Sequence, residues 1–196
     1  MTGESVNLFL ELVRQAAQQN WCVRPYCTTC GAMYFRSALR AAGGELGGPL
    51  LDALASLDLD ELTSLPDWDG ALEIAVGDLP LPGQATTLLD SWLGRAEENI
   101  RFFDVVLYRL VRHLPENHPV RERWIAKGIA LALQTGDFSL VESLILTLRG
   151  NAVQHEELLD LARRLAARSQ QMQRVLRNAC NIETKSPQQW PRAQRG

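Results

Sequence analysis

Apolar residues recur at helical spacing from the start of the chain. In the first helix-sized segment, a spacing of three or four residues places the apolar side chains on one face, so the sequence predicts a helix over residues 3–20. Two more stripes follow, and glycines separate them, as expected where helices end. The members of the three stripes are Val6, Phe9, Leu10, Val13, Ala16 and Ala17; Ala32, Phe35, Leu39 and Ala42; and Leu50, Leu51, Leu54 and Leu57.

The second half of the chain also has a helical pattern. Thr87 and Asp90 resemble a capping box, which predicts a long helix that begins there, bends near Gly94 and stops at Pro115. We expect a second helix from Pro119 to Gly136 and a buried third helix over 140–148. A single fourth helix is predicted from the last stripe, which comprises Leu158, Leu161, Ala162, Leu165, Met172 and Leu176.

These patterns predict an all-α fold, either a helical bundle or an irregular array of helical hairpins. Residues 71–76 are ambiguous, because a short apolar run between glycines fits a strand or a helical turn. Prolines and glycines in 77–83 predict a linker. The expected organisation is an N-terminal helical subdomain (1–76), this linker, a C-terminal helical subdomain (84–180) and a disordered tail (181–196).

One segment resembles a known helical hairpin. Trp124, Gly128 and the Gly136-Asp137-Phe138 turn are similar to the pattern of tetratricopeptide repeats, a family that binds peptides in a concave groove. The chain departs from that pattern at Lys127, its turn falls one residue late, and no second copy follows. Stacked repeats need about three copies. The resemblance therefore implies two helices joined by a tight turn, and no function.

Three of the four cysteines lie within nine residues, in the segment Trp21-Cys22-Val23-Arg24-Pro25-Tyr26-Cys27-Thr28-Thr29-Cys30-Gly31. The C-x2-C-G end of this segment resembles the knuckle of zinc and rubredoxin-type sites, where glycine lets backbone N–H groups point at the sulfurs. Structural zinc is tetrahedral and needs four ligands. We therefore predict a metal site with Cys22, Cys27, Cys30 and, as the fourth ligand, Cys180.

Two features of this site stay open at the sequence level. The fourth ligand is Cys180 or one of His113, His118 and His155, which the sequence does not rank. The C-x4-C-x2-C spacing also resembles that of plant-type ferredoxins, so an iron–sulfur cluster with a redox or nucleic-acid-linked role is the alternative to zinc.

Charge suggests a further site near the C-terminus. The formal net charge is −3, but residues 43–100 are rich in acids and residues 151–196 are rich in bases. On the last predicted helix, basic side chains lie opposite the apolar stripe, a pattern that fits a phosphate backbone as well as an ordinary solvated face. These candidate nucleic-acid-binding residues are Arg163, Arg164, Arg168, Arg174 and Arg177.

The leading hypothesis from the sequence is a non-enzymatic binding or adaptor module. It would contact a protein partner through its helix faces and would hold its N-terminal segment in place with zinc. Phosphate-loop, dinucleotide-binding, zinc-protease and nucleophile-elbow motifs do not occur in the chain. No apolar run approaches the roughly 18 residues of a membrane span, so we expect no membrane insertion and a cytoplasmic location. The sequence identifies neither the partner nor the oligomeric state.

Overall fold

The all-α prediction is confirmed over the part of the chain that the structure describes. The structure is a computed structural model, and it describes residues 2–21, 33–43, 47–79 and 82–182. These residues form eleven α-helices and no strand. None of the described helices is both long and apolar enough to span a membrane.

Eight of these helices begin in the first 127 residues. They are α1 (Thr2–Gln18), α2 (Met33–Gly43), α3 (Gly47–Ala55), α4 (Leu59–Ser64), α5 (Trp68–Gly77), α6 (Pro82–Gly94), α7 (Ile100–Arg109) and α8 (Pro119–Thr135). The remaining three are α9 (Phe138–Leu148), α10 (Glu156–Ala166) and α11 (Gln170–Cys180). Short 3₁₀ turns follow α7 at Val111–His113 and α9 at Arg149–Gln154.

The chain forms two compact units, Met1–Lys127 and Gly128–Gly196. Their boundary falls inside α8. The linker predicted over 77–83 contains Pro80 and Leu81, which lie outside the described residues, so the predicted subdomain division stays a prediction. The predicted tail lies outside them from residue 183 onward.

In the first unit, α1 packs against α2 and α3 through its apolar stripe. Phe9 and Phe35 are fully buried there and meet edge to face, with ring centroids 6.3 Å apart. This offset geometry suits two aromatic quadrupoles better than a face-to-face stack. The described buried members of the first two stripes, among them Leu10, Val13 and Leu39, therefore lie on the sides that their periodicity predicted.

Two buried tryptophans connect the helices in the middle of this unit. The Trp92 indole N–H donates to the carbonyl of Leu54 at 2.9 Å, and the Trp124 indole N–H donates to that of Leu89 at 3.1 Å. Trp124 also stacks on Phe103 at 4.5 Å. Because each indole donor has a partner, both side chains are buried without leaving a polar group unsatisfied.

Three local expectations are settled or corrected here. Residues 71–76 are helical and belong to α5. The capping-box prediction at Thr87 is wrong, because α6 already begins at Pro82 and the Thr87 hydroxyl donates to the Gly83 carbonyl one turn earlier. The predicted bend near Gly94 is the end of α6, and a separate helix α7 begins after Asn99.

In the second unit, the helix end predicted at Gly136-Asp137 is confirmed. Gly136 has a φ of +67°, a conformation that glycine adopts without strain, and the Asp137 side chain caps α9 by accepting from the Leu140 N–H at 2.8 Å. The burial predicted for α9 is also confirmed, since its apolar side chains are buried on most sides. Helix α11 packs against both α9 and α10.

Candidate functional site

The predicted metal ligands Cys22, Cys27 and Cys30 lie outside the described residues. The residues on either side of that segment are described. Trp21 and Tyr34 stack with ring centroids 6.4 Å apart, so the two ends of the intervening segment lie close together. The Trp21 backbone N–H donates to the Ala16 carbonyl at 2.8 Å, which ties this residue to the end of α1.

Cys180, the predicted fourth ligand, ends α11. It is a half-buried free thiol, and its sulfur donates a weak hydrogen bond to the Arg149 carbonyl at 3.5 Å. Burial raises the pKa of Cys180 above its ordinary value of 9.0. The thiol is therefore protonated at neutral pH, and a metal would have to displace this proton.

The three rival histidines have separate surroundings. His113 accepts at Nε2 from the Arg112 guanidinium at 3.1 Å, and His118 accepts at Nδ1 from the Val120 N–H at 3.2 Å. His155 precedes α10 and makes no capping bond with its side chain. Across the described parts of the chain, no group of three or more potential ligands is arranged to hold a metal ion. The choice of fourth ligand stays a prediction.

A cleft of about 410 Å³ in the first unit has an acidic lining that includes Asp58, Asp60, Glu61 and Glu98. Each of these carboxylates already has a partner within the protein. Asp58 caps α4 through the Glu61 N–H, Asp60 accepts from the Asn99 amide, Glu61 pairs with Arg14, and Glu98 pairs with Arg95. Helix capping, contacts between helices and the local Arg95–Glu98 pair account for these four carboxylates, so their clustering does not by itself indicate a ligand site.

The C-terminal basic region differs from its prediction in one respect. The single fourth helix is two helices, because the chain turns between Ala166 and Gln170. Ser169 caps α11 by accepting from the Met172 N–H at 3.3 Å. The Gln173 side-chain amide is buried and donates back to the Ala166 carbonyl at 2.8 Å, which fixes the turn from the other side.

All five predicted arginines are exposed around this turn. Arg163 pairs with Asp160 at 2.8 Å on its own helix. The other four form no ion pair with a described residue. No acidic residue occurs from Leu161 to Ile182, so nothing in this stretch offsets their charge.

Helix electrostatics accounts for part of this pattern. Arg163 and Arg164 lie in the last turn of α10, and Arg177 lies in the last turn of α11, where the helix dipole favours cations. Arg168 lies in the connection, and Arg174 lies in the middle of α11. The dipole does not explain these last two, and they extend the positive surface across the turn.

The exposed face of α11 carries uncharged hydrogen-bonding side chains as well. Gln170, Arg174, Arg177 and Asn178 are exposed and spaced at i, i+4, i+7 and i+8, which places them on one face. The buried side of the helix is formed by Met172, Gln173, Val175 and Leu176. The sequence prediction missed Gln170 and Asn178, since it searched only for charge; their helical register with Arg174 was the available signal.

We call the five arginines together with Gln170 and Asn178 the α10–α11 surface. Chemically, it offers guanidinium groups that bind phosphate oxygens and amides that both donate and accept hydrogen bonds. Comparison of the chain with protein-family models, with curated proteins and with solved structures finds no match.

Proposed function

We propose that this protein binds nucleic acid through the α10–α11 surface. One observation carries the proposal: Arg164, Arg168, Arg174 and Arg177 are exposed around one helix turn, and none forms an ion pair with a described residue. Arginines that pair with no described residue can bind phosphates without first breaking such a pair. Guanidinium groups bind phosphate in bidentate geometry, which makes arginine well suited to the task.

The overall charge makes the proposal specific to this surface. With a formal net charge of −3, the whole molecule does not attract a polyanion. Binding must therefore depend on the local cluster. It must also weaken steeply with salt, because each phosphate contact releases counterions.

The test is a fluorescence titration of labelled nucleic acid with purified protein, from about 50 to about 200 mM NaCl. We expect binding that weakens with salt, and a slope of log K against log salt whose magnitude falls by about two in Arg164→Gln/Arg168→Gln. The control Arg40→Gln/Arg123→Gln removes the same charge from two exposed arginines of the first unit and should bind like the wild type.

Two results would overturn the proposal. One is the absence of binding by the wild type at the lowest salt concentration. The other is unchanged binding by the quadruple variant Arg164→Gln/Arg168→Gln/Arg174→Gln/Arg177→Gln. Such a result would show that other residues bind the nucleic acid, such as the basic residues of 183–196.

The cysteine segment supports a second, independent proposal, a structural metal site at Cys22, Cys27 and Cys30. The close approach of Trp21 and Tyr34 supports it, because bringing the two ends of a loop together reduces the entropy cost of gathering its thiols around one ion. Zinc is the proposed ion, and an iron–sulfur cluster is the alternative. Reduced thiols persist in the cytoplasm, which is the location we propose.

Metal analysis after aerobic and anaerobic purification tests this second proposal. We expect about one zinc per chain, lost in Cys27→Ser; a brown protein containing iron would favour the cluster. Zinc retained by Cys180→Ser would exclude Cys180 and leave the histidines as the fourth ligand. A metal-free wild type that melts at the same temperature as Cys27→Ser would contradict the site.

The adaptor function predicted from the sequence stays a proposal with less support. The large apolar side chains that are exposed in the described parts of the chain, Tyr34, Leu133 and Val153, lie far apart in sequence. Single exposed apolar residues are normal on protein surfaces and do not indicate a docking site.

A further inference from the structure

We propose that α11 is a recognition helix that reads base pairs in the major groove of duplex DNA. This inference rests on the proposed nucleic-acid binding and adds the class of nucleic acid and the residues that read it. The first argument is the arrangement of α10 and α11 along the chain. Helix α10 is joined to α11 by Ala167, Arg168 and Ser169, and a connection of three to four residues is typical of a DNA-binding helix-turn-helix.

The chemistry of the exposed stripe is the second argument. Gln170 and Asn178 carry the side chains that form bidentate hydrogen bonds with adenine, and Arg174 and Arg177 carry the group that does so with guanine. On one face of α11, two amides flank two guanidiniums, and these are side-chain types that read base edges directly.

The length of α11 and the positions of its exposed residues also fit a recognition helix. Helix α11 has 11 residues, which corresponds to a length of about 16 Å. The major groove is about 12 Å wide and admits a helix. Gln170 is the first residue of α11 and Arg174 is the fifth, so these two readers lie in the N-terminal half of the helix, the part of a recognition helix that contacts bases.

The neighbouring side chains define which residues read and which position the helix. The Gln171 amide is held by both carboxylate oxygens of Glu142 on α9, at 2.9 and 2.7 Å, so it is not counted among the readers. Gln173 is buried in the turn and also belongs to the scaffold. The readers are therefore Gln170, Arg174, Arg177 and Asn178. Arg164 and Arg168 lie beside the turn, where they would contact the backbone phosphates.

The experiment selects binding sequences from a pool of random duplexes of about 20 base pairs, using the full-length protein. It then measures affinities for the enriched duplex, a scrambled duplex and the corresponding RNA. We expect the enriched duplex to bind more tightly than the scrambled one. Gln170→Ala/Asn178→Ala removes two bidentate contacts and should lower this preference about 30-fold or more, while its affinity for the scrambled duplex stays near that of the wild type.

The matched control is Asn151→Ala/Gln154→Ala, which removes the same two side-chain types from exposed positions of the same unit outside α11. It should keep the full preference. Salt-dependent binding with no enriched sequence, tighter binding of RNA, or a preference that survives Gln170→Ala/Asn178→Ala would overturn this inference and leave the proposed function intact. No binding to any of the three probes would overturn both.

Discussion

The buried amide of Gln173 reaches back across the turn between α10 and α11 and donates to the carbonyl of Ala166 at 2.8 Å. Since the Ser169 N–H also donates to this carbonyl, at 3.3 Å, one oxygen joins the end of one helix to the cap and the first turn of the next. The angle between the helices thus depends on a side chain that points away from solvent.

Gln173→Met keeps the length of the side chain and removes the hydrogen-bond donor. We expect this change to lower the free energy of unfolding by about 1 kcal/mol, because that is the usual net contribution of one hydrogen bond. Urea denaturation followed by circular dichroism measures the change. The control Gln170→Met alters an exposed residue on the same helix and should stay within about 0.5 kcal/mol of the wild type. Equal losses in the two variants would show that the buried bond does not stabilise the turn.

A second prediction concerns the start of α7. Asn99 accepts from the Phe102 N–H at 2.8 Å, and its amide donates to Asp60 at 2.6 Å and to Thr63 at 3.1 Å. Asn99→Ala removes a helix cap together with two contacts to α4, so we expect a loss of about 2 kcal/mol, at the upper end for a cap. Thermal or urea denaturation would measure it. The exposed Asn117 provides the control, and a loss in Asn99→Ala no larger than in Asn117→Ala would contradict the prediction.

The third prediction separates two contributions of one tryptophan. Trp124 stacks on Phe103 and also donates to the Leu89 carbonyl. Trp124→Phe keeps an aromatic ring but loses the donor and part of the indole volume, for which we expect about 2 kcal/mol of destabilisation. Trp124→Ala leaves a larger cavity and should lose about 3 to 5 kcal/mol. Urea denaturation of both variants tests the order, and similar losses would mean that stacking and burial contribute little.

The fourth prediction concerns pH. A hydrogen bond and the charge of Lys127 lower the pKa of Glu97 from its ordinary value of 4.5. Because the pKa is lower in the folded state, the ion pair adds its stability above pH 4.5 and loses it as the pH falls through the lowered value. The contribution is small, since Glu97 is fully exposed and solvent screens the pair.

An NMR titration of the Glu97 carboxyl carbon checks this prediction directly. In Lys127→Met, the pKa of Glu97 should move up toward its ordinary value. High salt should have the same effect in the wild type, since salt screens exposed charges. A Glu97 pKa that is the same in both proteins would show that the pair does not form in solution.

Most helices were predictable because their apolar residues repeat at helical spacing and packing follows that spacing. The break between α10 and α11 was not. Leu165 and Met172 are seven residues apart, so the apolar stripe continues in phase through the turn, and only Ser169 marks the interruption. The spacing of apolar residues predicts which side of a helix is buried. It does not reveal a turn after which the apolar residues continue at the same helical spacing.

Local start signals were also ambiguous. Thr87 resembles a cap in sequence, but inside a helix a threonine hydroxyl bonds equally well to the carbonyl one turn earlier, as it does here with Gly83. Pro82 was assigned to a linker, although proline also suits the first position of a helix. In both cases the choice depends on tertiary packing that the local sequence does not contain.

The candidate site was predictable in composition and not in arrangement. Charge counting identified the five arginines, yet it did not show that Arg163 pairs with Asp160 while the other four pair with no described residue. Gln170 and Asn178 can be assigned to the same exposed face as Arg174 only once α11 is known to be a separate helix. For the cysteine segment, the prediction still rests on spacing.

Helix α8 has a practical consequence for dissecting the molecule. A cut between Lys127 and Gly128 would leave each half with a helical stub shorter than the roughly 12 residues at which isolated helices become even marginally stable. Fragments intended for separate expression should therefore overlap, one ending after Thr135 and the other beginning before Pro119.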